Sequence, residues 1–443
     1  MTKLLILAYD FPPYVSVGGL RPFSWYKYLY LFGVHPIVVT RQWNNEFGNH
    51  LDYIAPGYSD SNDVQETNEG AIIKAPFAPN LANQILLKHG ERKYRIPRKF
   101  ISLFYLFAQY FLPVGNFHQI YRSADEYLKK NKVDCIIATG DPFILFKYSS
   151  KLSRKYSVPW IADYRDSWVQ DKTFDNKLYK IWSAYFEKRF LKNASKITTV
   201  STFIQKQIEQ NITGKDFEIV LNGFDPEILK VVEKIEQNKN VLSIALTGTI
   251  YEWHPLESFL NVCSELLNEN ADFDLKLNFF GINKEIEIKN LIEEKFKSLA
   301  SRAEFFPRME NLKLAEKLAE QNVFLLFNDY SILGTKIFDY LAVKRKIILC
   351  YESDAESAGL KDKYFCLQET ETESKRLQAE MITATNSGIV VKDFRHLKTI
   401  LPELNKELKE NGFVNCSSIG IEKYSRIEQV ERLAKIVKDV SEK

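Results

Sequence analysis

Neither sign of charge dominates this chain: 60 lysines and arginines stand against 57 aspartates and glutamates, leaving a formal net charge of +3. No overall field that would gather nucleic acid follows from such a balance. Cysteine is sparse. Cys135, Cys263, Cys350, Cys366 and Cys416 are far apart, with no Cys-x-x-Cys pair and no histidines beside them. That pattern argues against a disulfide framework and a zinc site and fits a reducing, cytoplasmic setting. Long hydrophobic runs are missing too. The longest apolar stretch, residues 101–114, contains Gln109 and is shorter than the roughly 20 residues of a membrane-spanning helix. The amino terminus lacks a signal peptide's basic start and cleavage site, and residues 4–8 read better as a first buried strand.

What is present describes a soluble α/β protein. With 443 residues, 45% hydrophobic and 26% charged, the expectation is two domains rather than one core. Strand-like runs alternate with periodic helical segments twice over. The first series takes in residues 4–8, 36–40, 71–74, 134–139, 160–163, 197–201 and 218–221. The second takes in 242–247, 275–280, 303–306, 323–327 and 346–350. Short apolar runs separated by amphipathic intervals predict two doubly wound parallel sheets covered by helices. Residues 226–240 are polar and charge-rich and read as the linker, giving domains at 1–225 and 226–422 and a last segment at 423–443. Residues 48–70 are polar and aperiodic and read as a surface loop.

The most informative stretch is Ser331-Ile332-Leu333-Gly334-Thr335-Lys336-Ile337-Phe338-Asp339-Tyr340-Leu341-Ala342, just beyond the apolar run 323–327. Gly334 and Thr335 open a predicted helix whose unpaired amides favour anions. Lys336 and Asp339, three apart, share a helix face; the amine suits a phosphate and the carboxylate suits ribose hydroxyls. An ordinary amphipathic helix, with Ile337, Tyr340 and Leu341 in the core and Lys336 in solvent, satisfies the same spacing.

A second phosphate-facing loop follows the first strand: Asp10-Phe11-Pro12-Pro13, then Gly18-Gly19, with Pro22 at an expected first helical position. Paired glycines let backbone amides approach a diphosphate, although a tight turn without a ligand has the same composition. After the run at 160–163 comes Asp163-Tyr164-Arg165-Asp166-Ser167-Trp168. Charged residues there, at the carboxyl end of a parallel strand, either face a ligand or form an ion pair that orders the loop. Ile197-Thr198-Thr199-Val200-Ser201 and Val220-Leu221-Asn222-Gly223-Phe224-Asp225 follow in order, and Tyr424-Ser425-Arg426 opens a last helix.

Taken in this order, the segments resemble family 4 glycosyltransferases, whose donor-site helix commonly reads Thr/Ser-Lys-x-x-Glu-Tyr-Leu-Ala and whose start carries Phe-Pro-Pro before Gly-Gly. The resemblance touches most of the length, although residues 44–110 have no strong match. It implies a GT-B architecture, two Rossmann-like domains facing a cleft, with the acceptor mainly on the first and a nucleoside-diphosphate sugar mainly on the second. It also implies a terminal helix returning to the first domain, and retention of anomeric configuration without a metal or other cofactor. An Asp-x-Asp pair of the kind used by metal-dependent transferases occurs as Asp272-Phe273-Asp274, but at the wrong end of an inferred strand. By the same resemblance, Gly18, Gly19, Thr249, Gly334, Thr335, Lys336 and Asp339 are donor-site candidates, and Arg308, after the run at 303–306, joins them from its position rather than from a family motif. Asp163, Arg165 and Asp166 are candidates for acceptor positioning or proton removal, and His118 for acceptor contact.

The chain departs from the family in ways that bear on activity. Where the family often carries two glutamates eight positions apart, the later aligns with Asp339 and the earlier with Ser331. The segment Gly248-Thr249-Ile250-Tyr251-Glu252-Trp253-His254 lacks the usual cationic pair, for which Arg308 and Arg345 are candidate replacements. A silent glycan- or nucleotide-binding relative and a nucleotide-sugar epimerase therefore stand beside the transferase reading. The expected acceptor is a glycan or polyprenyl-linked saccharide in cell-surface polysaccharide synthesis. Between Lys88 and Lys99 six basic residues face one Glu, and an aromatic-rich run follows. This segment suits either an anionic membrane surface, giving peripheral attachment, or a helix buried between domain elements with its basic flank solvated. No nucleic-acid motif accompanies it.

Overall fold

The computed structural model describes residues 1–44, 51–169, 177–365 and 374–442. Cys366 and the start of the expected loop at 48–70 lie outside them. The chain forms two compact units, Met1–Leu221 with Ile427–Lys443, and Asn222–Arg426. The expected boundaries at 225 and 422 are thus displaced by a few residues.

The first unit is built on eight strands: β1 (Thr2–Leu7), β2 (Val34–Arg41), β3 (Asp63–Glu66), β4 (Ala71–Ala75), β5 (Cys135–Gly140), β6 (Trp160–Tyr164), β7 (Lys196–Thr199) and β8 (Phe217–Ile219). Their order is β3-β4-β2-β1-β5-β6-β7-β8, parallel throughout except for β3 against β4. The central strands are apolar on both faces because both faces are covered. Leu5 and Leu7 join one cluster with Ile136, Phe146 and Leu152, while Leu4 and Ile6 join another with Trp25, Val430, Leu433 and Val437. The last three residues belong to the carboxyl-terminal helix Arg426–Ser441, which therefore completes this unit. Burial of each such side chain contributes about 2 kcal/mol.

β3 falls in the stretch expected to be a loop. Of Asp63-Val64-Gln65-Glu66 only Val64 is apolar, as suits an exposed antiparallel edge strand. The preceding segment is tied down by Arg41, whose guanidinium carbon lies 3.4 Å from the Phe77 ring centroid and 4.1 Å from that of Trp43. The same group donates to the carbonyls of Tyr53 and Ala55, at 2.9 and 2.6 Å.

The second unit contains β9 (Leu242–Thr247), β10 (Leu275–Phe280), β11 (Ala303–Phe306), β12 (Val323–Phe327), β13 (Lys346–Cys350) and β14 (Gly388–Val391), in the order β11-β10-β9-β12-β13-β14 and wholly parallel. β14 has no counterpart among the sequence expectations. It opens with Gly388, where a Cβ would meet the Ile347 carbonyl oxygen at 2.0 Å, so only glycine admits β13 this closely. The expected linker at 226–240 is instead a packed part of this unit. Ile228 and Val232, on the helix Glu227–Val232, are buried, and Asn322 Nδ2 donates to the Asn238 carbonyl at 2.8 Å. Four residues apart, the two apolar side chains share one helix face, which explains the burial of an otherwise polar segment.

One buried carboxyl in the first unit generates a pH-dependent prediction. Glu187 accepts hydrogen bonds from Tyr164 Oη at 2.8 Å and Asn211 Nδ2 at 2.6 Å. Burial pushes its carboxyl up to about 7, against the opposing effect of those two donors. A raised folded-state pKa disfavours the ionised form, so the penalty is absent below the unfolded value and is complete only above pH 7. Stability from this group should fall as pH rises from 4.5 to 7, by on the order of 3 kcal/mol. Chemical denaturation of Glu187→Gln across that range should lack this part of the slope; a wild-type slope in the variant would contradict the assignment.

Candidate functional site

In each sheet the strand order reverses once, at β1 between β2 and β5 and at β9 between β10 and β12. Ligands of doubly wound sheets collect beyond the carboxyl ends of the strands at such a reversal. The chemistry-bearing residues of each unit are concentrated there.

In the second unit, β9 runs into Gly248 and Thr249, and β12 runs into Asn328 and Asp329. The helix Lys336–Val343 begins two residues later than Gly334 suggests, with Thr335 at its cap. Tyr340 fixes this helix to the end of β9: its hydroxyl oxygen accepts from the Thr247 amide at 3.0 Å and lies 3.1 Å from Thr247 Oγ1. That anchorage, with Ile337 and Leu341 buried, leaves Lys336 alongside the β9 loop. Lys336 Nζ donates to the Thr249 carbonyl, and Gly248, at φ +68°, lets the lysine stem pass at van der Waals distance. Burial lowers the amine's pKa while Asp329 acts in the opposite direction.

Asp329 is the charged centre beneath this amine, and its partners were invisible in the sequence. His254 Nδ1 accepts from the Tyr251 amide at 3.2 Å, so the ring proton resides on Nε2, which donates to Asp329 Oδ1 at 2.8 Å. Trp253 Nε1 donates to the same oxygen at 3.2 Å, and Gln378 brackets the residue by accepting from its amide at 2.8 Å. Burial holds His254 below its usual range, so it is neutral at pH 7. Burial opposes the charge on Asp329, but the donors and the Lys336 cation outweigh it and keep the carboxylate ionised.

Asp339 lies on the same helix, partly accessible, beside Arg426 and Asp225, which stand 4.0 Å apart. Burial pushes its carboxyl up to about 6; Arg426 opposes this and Asp225 adds to it. Arg308 is exposed after β11 and passes close to Gly281 at the end of β10. Arg345 is committed elsewhere, donating to the carbonyls of Ala319 and Ile235. It is not a replacement cation for this site. Asp274, of the Asp-x-Asp spacing, pairs with Arg302 at 2.7 Å before β10 begins.

In the first unit the helix starts at Val17, capped by Ser16, so Gly18 and Gly19 form its first turn and Pro22 is interior, contrary to the expected start. Ser16 Oγ accepts from the Gly19 amide at 3.0 Å and donates to Asp10 Oδ2 at 3.0 Å. A Cβ on Gly18 would meet Arg165 Nη1 at 2.2 Å and Asp10 Oδ2 at 2.5 Å. Gly18 is thus a packing requirement for bringing a guanidinium to a carboxylate. Arg165 also donates to the carbonyls of Gly140 and Asp141, at 3.0 and 2.7 Å. Burial pushes the Asp141 carboxyl up to about 6; Arg165 opposes the shift, and Asp166 and Asp10 reinforce it. Asp10 is raised by burial as well, with Arg165 and Ser16 opposing. Asp10 and Asp141 join Arg165 and the exposed Asp166 at this strand reversal; from the sequence Asp10 is named only as part of the loop before Gly18, and Asp141 is not named.

Asp163 takes the other of its two readings. It is fully buried, held by Arg21 Nη2 at 2.7 Å and Nε at 3.0 Å and by Thr198 Oγ1 at 2.7 Å. Arg21 spends its remaining donors on the carbonyls of Val220 and Leu221. Asp163 therefore orders the sheet and has no exposed surface of its own. His118, at the start of the helix His118–Lys130, packs against Tyr121 and Tyr148 and is driven down to about 4 by burial and by Arg122, Lys147 and Lys151. It is a neutral ring at pH 7.

Residues 27–228 match the family model Glycosyltransferase Family 4. Among curated proteins none gives a significant match. Solved structures are similar over nearly the whole length. Sucrose-phosphate synthase from Thermosynechococcus elongatus is 12% identical, with 99% of each chain covered and a TM-score of 0.60. The E. coli trehalose-6-phosphate protein bound with UDP-2-fluoro glucose is 10% identical, covering 100% of this chain and 99% of that one, with a TM-score of 0.58. Anabaena HepE in complex with UDP-glucose is 10% identical, covering 99% of this chain and 100% of that one, with a TM-score of 0.54. At these identities the likeness is one of fold. Two parallel α/β units and fold relatives spanning both give the chain the GT-B fold, and within it residues 27–228 are similar to Glycosyltransferase Family 4.

Proposed function

We propose that the protein transfers a sugar from a nucleoside-diphosphate sugar to a glycan or lipid-linked saccharide, with retention of configuration. The observation that carries this reading is the placement of Lys336 and Asp339 on one short helix at the strand reversal of the second sheet, with the Lys336 amine against the Gly248–Thr249 turn. In this reading the amine exchanges the Thr249 carbonyl for the diphosphate and stabilises the charge that develops on the leaving group. Asp339 accepts hydrogen bonds from the ribose hydroxyls. Charge neutralisation by Lys336 and backbone amides, without a resident metal, is part of the proposal. UDP is the first base to test, because two of the fold relatives carry a UDP-sugar. On the acceptor side, Arg165, Asp10 and Asp141 are the residues to examine in place of Asp163.

Thermal melting with UDP, GDP, dTDP, ADP and CMP should show a rise for one diphosphate, since a ligand of the folded state alone stabilises it. A flat response to all five would overturn the donor assignment. Lys336→Ala should weaken the best nucleotide by about tenfold to a hundredfold, while the apo protein still unfolds cooperatively at a melting temperature lowered by the loss of the amine beside Asp329; unchanged affinity would remove Lys336 from the site.

Asp339 gives a pH test. If only its ionised form accepts from the ribose, affinity should fall as pH drops through about 6, reaching a loss of about tenfold one unit lower. The nucleotide's own terminal phosphate titrates nearby, so calorimetry should compare wild type with Asp339→Asn, which is expected to lack this component. Identical pH profiles would exclude the carboxylate from the site.

A further inference from the structure

The helix Arg95–Ala108 is not buried between other elements. Ile96 and Phe100 are 69% exposed and Phe104 is 58% exposed. Spaced at i, i+4 and i+8, they form one stripe along the helix. Beyond its end Phe111 is 61% exposed, and on the neighbouring helix Lys177–Leu191 Ile181 is 68% exposed. The two helices meet here, because Trp182, next to Ile181, packs against the end of the first: its ring lies 5.0 Å from Phe107 and 5.6 Å from Phe111, centroid to centroid. So many large apolar side chains side by side exceed what solvated monomer surfaces ordinarily carry. At the amino-terminal end of the same stripe, Lys88, Arg92, Lys93, Arg95 and Lys99 are exposed, with Glu91 the single acid among them.

We propose that this face of the first unit docks on an anionic lipid membrane, the basic cluster meeting headgroups and the Ile96–Phe100–Phe104 stripe, with Phe111 and Ile181, entering the interface. Charge decides the occupant. A second copy of the chain would set the basic cluster against itself or against a surface of no marked sign, whereas a bilayer with acidic headgroups supplies a negative plane above an apolar layer. Length supports an in-plane orientation: 14 helical residues span about 21 Å, short of the ~30 Å hydrocarbon core. Among the described residues no helix is long and apolar enough to cross a membrane. The inference goes beyond the donor site and does not depend on it.

The test uses the full chain with sedimenting vesicles of phosphatidylcholine, with or without about one-third phosphatidylglycerol. Binding is expected to the anionic vesicles, weakening in high salt, and little to the neutral ones. The triple variant Arg92→Gln, Lys93→Gln, Lys99→Gln should lose on the order of a hundredfold in partitioning. A second variant, Phe100→Ser, Phe104→Ser, Ile181→Ser, should lose binding at equal charge. Each altered side chain is exposed, so melting temperatures should match wild type. Equal recovery with neutral vesicles, none with either, or wild-type partitioning of both variants would overturn the proposal. So would a solution dimer abolished by the serine variant, or binding to duplex DNA in preference to the vesicles.

Discussion

A parallel strand order that reverses once constrains everything else in this molecule. Parallel strands need long crossovers, the crossovers cover both faces, and covered faces demand apolar residues along the whole strand. Polar chemistry is thereby excluded from β1, β5, β9 and β12 except at their ends. The amino ends receive returning helices, while the carboxyl ends at β1/β5 and β9/β12 carry Asp10, Asp141, Arg165, Gly248, Asp329 and Lys336. These residues come from distant parts of the chain, and the topology alone assembles them.

Buried charge follows a consistent rule in both units. Asp163 is matched by the bidentate guanidinium of Arg21, Asp329 by His254, Trp253 and the nearby Lys336, and each is strongly donor-satisfied. Glu187 has two neutral donors, with the Lys188 charge the smallest of the effects opposing burial, and its carboxyl is pushed up to about 7. The contrast is physical: a desolvated carboxylate stays ionised when opposite charge or several donors replace water, and drifts toward protonation when they do not. Asp141 and Asp339, both raised to about 6, fall between these cases, each with one arginine opposing neighbouring carboxylates.

How much of this was legible depends on whether the determining contact is local. The apolar runs of β9 through β13 carry their own signal, as does the helix bearing Lys336 and Asp339, because strand burial and helical spacing are read within a few residues. β3 escaped because an exposed edge strand needs little apolar sequence, and Asp63-Val64-Gln65-Glu66 alternates weakly; β14 is an apolar run, Ile389-Val390-Val391, but a short one opened by a glycine, and Gly388 is explained only by its approach to Ile347. Asp163 carried two equal readings until its partner was known, and Arg21 lies 142 positions away. His254 and Asp329, 75 positions apart, gave no spacing signal at all. Residues 226–240 misled through composition, since two well-placed apolar residues, Ile228 and Val232, outweighed many polar ones.

The same nonlocal pairing bears on what the lysine is able to do. A solvent-exposed ammonium gains little from meeting a phosphate, because water already satisfies it and screens the charge. Lys336 is placed otherwise, partly withdrawn from water and oriented by the Thr249 carbonyl, with burial favouring loss of its proton and an ionised Asp329, itself fixed by His254 and Trp253, opposing that loss. A diphosphate arriving there meets a cation whose reorientation and part of whose desolvation have already been met by folding. Under the proposed reading the catalytic asset of the second unit is therefore not the lysine alone but the buried carboxylate behind it, since preorganised charge in a low-dielectric setting is what lowers the cost of a departing anion.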